Sequence, residues 1–169
     1  MIPGGKGGAN TQSGLHFEKR TDLATAIGKL PGFTVQGKEI LKNGEVVAIN
    51  CKKKALAKFL QSKGIKYQDI VSRMLEPDEA LYMPAQNKVY IIEMKFQGTE
   101  GSVDEKLQTC DFKKKQYQRL LEPLKADVEY IYLLNDWFLN KKYKDVLNYV
   151  EASGCKYFFN TLPLEVLGL

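Results

Sequence analysis

The stretch Leu75-Glu76-Pro77-Asp78-Glu79-Ala80-Leu81-Tyr82-Met83-Pro84-Ala85-Gln86-Asn87-Lys88-Val89-Tyr90-Ile91-Ile92-Glu93-Met94-Lys95-Phe96 decides how this chain folds. Two apolar runs, around Leu75–Met83 and Lys88–Phe96, flank Pro84-Ala85-Gln86-Asn87, a set of turn residues. The second run holds Val89-Tyr90-Ile91-Ile92, which is typical of a central strand. Side chains alternate across a strand, so Glu93 and Lys95 share one face and Met94 takes the other. An antiparallel hairpin with its turn near residues 85–86 sets Asp78 roughly opposite Glu93. Two carboxylates side by side are unfavourable unless a cation sits between them. Mg²⁺ prefers oxygen ligands of this kind. A divalent ion, a nearby ammonium and an activated water are the parts that phosphodiester hydrolysis requires. A carboxylate beside an ammonium can equally be a self-satisfied pair at a sheet end.

Outward from this hairpin, Leu15 to Leu30 reads as an amphipathic helix through Leu15, Phe17, Leu23, Ala26, Ile27 and Leu30, with Ser13 as its cap and Pro31-Gly32 at its end. Asn43-Gly44 predicts a type I′ turn between Ile40-Leu41 and Val46-Val47. Lys53 to Lys63 predicts a helix with Leu56, Phe59 and Leu60 inward and Gly64 after it. Tyr67 to Met74 reads as a short helix. Val103 to Leu121 reads as a helix, irregular near Asp111-Phe112. Val128 to Leu134 reads as a strand, Trp137 to Glu151 as a helix closed by Gly154, and Lys156 to Phe159 as a last strand. The order implies an α/β fold with a mixed β-sheet flanked by helices.

The chain has 169 residues, 44% hydrophobic and 27% charged, which is one ordinary domain with a core. Residues 1–13 are glycine-rich and read as a flexible arm. No apolar run is long enough to span a bilayer and no signal-peptide pattern opens the chain, so a soluble, cytoplasmic protein is expected, with no membrane partner. Cys51, Cys110 and Cys155 lack metal-ligand spacing and are expected as free, buried thiols. The net charge is +5, with lysine runs at Lys52-Lys53-Lys54 and Lys113-Lys114-Lys115. Such runs either meet phosphates or form solvated faces. The late aromatic residues, Tyr130 to Phe159, are assigned to the core.

Pro77-Asp78 followed on the next strand by Glu93-Met94-Lys95 resembles the PD-(D/E)XK nuclease superfamily, which includes most type II restriction endonucleases. The resemblance runs from about residue 14 to residue 160 and implies a restriction-endonuclease-like αβββαβ core. It implies that Asp78, Glu93 and the Met94 carbonyl bind Mg²⁺ (Mn²⁺ can substitute), while Lys95 orients or activates the attacking water. Glu18 matches an acidic residue that the family often carries on its first helix; otherwise it is a helix-start glutamate. His16, nearby, reads as structural or exposed. Gln97 shares the Glu93 face and is a candidate for contacting a phosphate or a metal-bound water. Lys52, Lys53, Lys54, Gln108, Lys113, Lys114, Lys115 and Gln116 are the candidate DNA-binding residues. The region 33–74 is a candidate recognition insertion. The expected activity is cleavage of double-stranded DNA, by a type II restriction endonuclease first and a resolvase or repair nuclease second. A non-cleaving DNA-binding module is the rival from another class. Reading a palindrome would call for a homodimer.

Overall fold

A computed structural model describes residues 14–16 and 22–169. Their architecture is α/β. A seven-stranded mixed sheet runs in the order β2 (Phe33–Gln36), β3 (Glu39–Lys42), β4 (Glu45–Asn50), β5 (Glu79–Met83), β6 (Lys88–Lys95), β7 (Asp127–Leu134) and β8 (Lys156–Phe159). Pairing is antiparallel from β2 through β6 and parallel from β6 through β8. A small second sheet pairs β1 (Gly14–His16) with β9 (Thr161–Pro163). The helices are α1 (Leu23–Gly28), α2 (Ala55–Ser62), α3 (Val103–Leu107), α4 (Cys110–Leu121), α5 (Lys144–Ala152) and α6 (Leu164–Leu167).

The strand alternation divides the core in two. Val89, Ile91, Tyr130, Tyr132 and Leu134 point to one face, which α2, α4 and α5 cover with Leu56, Leu60, Tyr117, Leu120, Leu147 and Val150. Tyr90, Ile92, Ile131 and Leu133 point to the other, covered by α1, β9 and α6 through Leu23, Ile27, Leu162 and Leu167. Parallel strands buried on both faces read as continuous apolar runs, which is what Val89–Ile92 and Tyr130–Leu134 are.

The hairpin that decides the fold forms as its turn residues require. Glu79 pairs with Ile92 and Met83 with Lys88, and Pro84–Gln86 makes a 3-10 turn between them. Asn87 closes that turn in the left-handed region, at φ 45° and ψ 50°. Asn tolerates this conformation because its short amide bonds locally. Its side chain accepts from the Tyr82 hydroxyl and donates to the carbonyls of Leu124 and Lys125, and its own carbonyl accepts from Asp127 N. One residue therefore ends β5, begins β6 and sets the start of β7.

Several expected elements differ. The segment expected to begin a long helix at Leu15 is instead strand β1, and the helix starts at Leu23, capped by the Asp22 carboxylate on Thr25 N at 2.8 Å. Ser13 and Glu18 lie outside the described residues. The helix expected over 103–121 breaks at Gln108-Thr109 into α3 and α4. The helix expected from Trp137 opens as two 3-10 turns, with the Asn140 side chain capping the second, before α5 proper. Tyr67–Met74 reduces to one 3-10 turn, Tyr67–Asp69. Asn43 and Gly44 take φ 52° and 87°, as a type I′ turn needs. The strands of region 33–74 join the main sheet directly through β4–β5 pairing. The three cysteines are free and buried. No helix of the described residues is long and apolar enough to cross a membrane.

Asn87→Ala removes three side-chain hydrogen bonds and leaves alanine in a left-handed conformation. It should cost about 2 kcal/mol or more, read as a lower urea midpoint at an unchanged slope.

Candidate active site

The cluster sits where β6 ends. Continuing the β5–β6 register by one residue sets Asp78 opposite Glu93, as the turn placement predicts. The Asp78 carboxylate caps the strand: Met94 N donates to Asp78 Oδ2 at 3.3 Å. Lys95 Nζ donates to the same Asp78 oxygen at 3.4 Å and to Glu93 Oε2 at 3.0 Å. Lys113 Nζ, one turn into α4, also reaches Glu93 Oε2 at 3.5 Å. Two carboxylates and two ammonium groups thus share one knot.

Burial is uneven across it. The Glu93 side chain is 7% exposed and Asp78 44%. Glu93 is the anchored member, and Asp78 the one open to solvent. Burying Lys95 works against its charge, but Glu93 and Asp78 more than offset that and hold its pKa above the ordinary lysine value. Lys95 is therefore an ammonium at neutral pH. Below the knot, Tyr117, Tyr130 and Tyr132 pack ring against ring, with centroids 6.3 Å and 5.3 Å apart. Burial first, and then the Glu93 charge among others, raises the pKa of all three hydroxyls. The Tyr132 hydroxyl donates to Lys106 O at 3.2 Å, tying β7 to α3.

The donor set suits a small divalent cation in chemistry. Asp78 Oδ1 and Glu93 Oε1 accept no hydrogen bond among the described residues, so each carboxylate keeps one oxygen uncommitted. Hard cations take such oxygens. Among the described residues, no group of three or more His, Cys, Asp or Glu side chains is arranged to hold a metal. Among the described residues, further ligands would be a backbone carbonyl, such as that of Met94, or water; Glu18 lies outside them.

The remaining candidates scatter. Gln97 does not join the knot. β6 ends at Lys95, and the Gln97 main chain is clamped by Asn135, which accepts from Gln97 N at 3.1 Å and donates to Gln97 O at 2.7 Å. The Gln97 side-chain amide donates to Thr99 O. Met94 is half-buried and packs on the opposite face. Lys52 pairs with Asp22 at 3.3 Å and Glu79 at 3.6 Å. Lys53 and Lys54 are exposed. Lys114 donates to the Gly154 carbonyl and Lys115 pairs with Asp111. Gln108 is exposed after α3, and Gln116 is half-buried with its Oε1 enclosed and unpartnered. The lysine run 113–115 is thus three separate roles, of which one belongs to the cluster. The sequence spacing places both Lys113 and Lys114 near the inward stripe of α4, so it does not single out Lys113.

No protein-family model matches the chain, and no curated protein and no solved structure matches it.

Glu79, beside Asp78 in sequence but facing the other side of the sheet, yields a pH test. Burial pushes its carboxyl up to about 7, against the opposing pull of Lys52. Its folded pKa lies above the unfolded value, so the folded state binds the extra proton. This stability is present below the unfolded pKa and is lost as pH rises through about 7. Glu79→Gln carries no charge at either pH. Its unfolding free energy should lack a fall of roughly 2–3 kcal/mol that the parent chain shows between mildly acidic and mildly alkaline buffer. Parallel slopes for both proteins would rule this out.

Proposed function

We propose that this chain is a Mg²⁺-dependent endonuclease of the PD-(D/E)XK type, hydrolysing phosphodiester bonds of double-stranded DNA in a type II restriction role. The observation that carries the reading is the shared ligation of Lys95 Nζ by Asp78 Oδ2 and Glu93 Oε2, at 3.4 Å and 3.0 Å, with one oxygen of each carboxylate left uncommitted. Support also comes from the order of elements: a helix, an antiparallel set of strands, then a helix and a parallel strand. The cluster lies at the carboxyl end of a parallel strand, where open α/β sheets place their ligands.

Asp78, Glu93 and the Met94 carbonyl would hold the ion, which when bound supplies a Lewis acid for the charge that develops on the phosphoryl oxygens. Lys95 donates hydrogen bonds to both carboxylates. Its part is to orient the attacking water and to offset negative charge beside the scissile phosphate. Lys113 and Lys95 both hold Glu93 Oε2, leaving Oε1 for the ion. The tyrosine layer excludes water from the underside of Glu93, so the carboxylate keeps its position. Hydrolysis forms one P–O bond to the water oxygen, whose proton passes to solvent, and breaks one P–O bond to a sugar oxygen, which takes a proton from solvent.

Incubation with plasmid DNA and Mg²⁺ should give discrete fragments, with Mn²⁺ able to substitute, and EDTA should stop the reaction. Lys95→Ala and Asp78→Asn should each lower cleavage by about a hundredfold or more, while duplex binding in EDTA stays within a few-fold of the parent. Cleavage confined to junctions or flaps would favour a resolvase or repair role. No cleavage of any duplex, junction or flap, with binding intact, would leave a DNA-binding module. Sedimentation with and without a palindromic duplex tests for the expected homodimer.

A further inference from the structure

A cavity of about 440 Å³ opens beside β4 and the start of α2, lined by Lys38, Asn50, Lys52, Lys53, Lys54 and Glu76. Its four lysines are not equivalent. Lys52 is committed to Asp22 and Glu79. Lys38, Lys53 and Lys54 are exposed and form no ion pair among the described residues. Three exposed lysines line one largely aliphatic concavity with Glu76 its one acid, so it carries net positive charge and attracts a compact anion. Backbone donors contribute little. Lys52 N is taken by Asn50 Oδ1, Lys53 N by Pro77 O, Ala55 N by Lys52 O and Leu56 N by Lys53 O. Recognition there is by charge, which suits a phosphate group in any orientation.

The cavity is joined to the cluster. Lys53 takes φ 51°, an uncommon conformation for a side-chain-bearing residue, and is fixed there by its 2.9 Å bond to Pro77 O. Pro77 is buried and immediately precedes Asp78. The same short segment thus carries Glu76 in the cavity wall and Asp78 in the cluster. The Glu76 charge is also felt at the Tyr117 hydroxyl together with those of Glu93 and Asp78.

We infer that Lys38, Lys53 and Lys54 form a phosphate-binding pocket that holds a non-scissile phosphate of the nucleic acid at a fixed offset from Asp78. The identity of that phosphate as DNA's rests on the nuclease reading, but the inference does not depend on cleavage.

The test is duplex binding by the full chain in EDTA, followed by fluorescence anisotropy across a salt series. The variant is Lys38→Gln with Lys53→Gln and Lys54→Gln. A control of equal charge loss, Lys29→Gln with Lys58→Gln and Lys66→Gln, alters exposed lysines outside the cavity. Loss of one phosphate contact should weaken binding about tenfold near 0.1 M salt and flatten the log–log salt slope by about 1. The control should show less than half of either change, and both variants should keep the parent's unfolding midpoint. Two arms identify the phosphate. If the loss appears only on duplexes bearing a 5′-terminal phosphate, the pocket holds a phosphomonoester; if it appears on both, it holds an internal phosphodiester. Equal losses in the two triple variants, or no duplex binding by the parent chain, overturn the pocket. A chain that binds through these lysines but never cuts DNA overturns the nuclease reading and leaves the pocket standing.

Discussion

Everything at the candidate site depends on the register of one hairpin. Asp78 and Glu93 are opposed only because Glu79 pairs with Ile92 and Met83 with Lys88. A slip of one residue would turn every side chain of β6 to the other face. Glu93 and Lys95 would then enter the packed layer of α1, β9 and α6, and Tyr90 and Ile92 would enter the helical layer opposite. The opposed carboxylates are mutually repulsive, so the register does not come from them. It comes from the turn, where Asn87 takes a left-handed conformation and is bound to Tyr82, Leu124 and Lys125. The turn imposes the repulsion, and Lys95 and Lys113 relieve it.

That relief explains why a nearly buried glutamate is tolerated. An isolated carboxylate with 7% exposure would carry a large desolvation cost. Two ammonium groups on Glu93 Oε2 offset it, and neither lysine is left as an orphan. Breaking one member would leave an uncompensated charge beside the tyrosine layer. Glu79 shows the alternative outcome on the other face. Burial with an enclosed, unpartnered Oε2 outweighs Lys52 at 3.6 Å and the Leu23 backbone, and its carboxyl is driven toward the neutral form. Adjacent acidic residues, 78 and 79, thus have different chemistry because β alternation sends them to different neighbours.

The parts of this arrangement with local causes were legible in the sequence. Pro84–Asn87 and Asn43-Gly44 are turns for reasons contained in four residues, and the strand face of Glu93 and Lys95 follows from alternation alone. The elements that went differently depend on distant partners. Leu15 and Phe17 fit a helical spacing, yet Gly14–His16 pairs with Thr161–Pro163 at the far end of the chain, and no local pattern encodes that. The expected helix over 103–121 breaks at Gln108-Thr109, where the Thr109 hydroxyl turns back to bond Lys106 O; this is the local competition that Ser and Thr offer to a helix. The lysine runs were the least informative feature, because a run of like charges does not say which member turns inward. The α4 stripe separates Lys113 and Lys114 from Lys115, but not from each other.

The pairing of β1 with β9 also bears on the order in which the molecule assembles. Asp78, Glu93, Lys95 and Lys113 lie within a short middle portion of the chain, and the hairpin that aligns them closes a small loop. Such contacts are cheap in loop entropy and form early. Gly14 meets Pro163 only after the residues between them have been laid down. On a ribosome, the chemistry-bearing centre can be complete while the final seam is still open. The seam covers the face opposite the cluster. A nascent chain would therefore carry its charged centre before it has sealed its second hydrophobic layer, with Ile131 and Leu133 as the surface still awaiting Leu162.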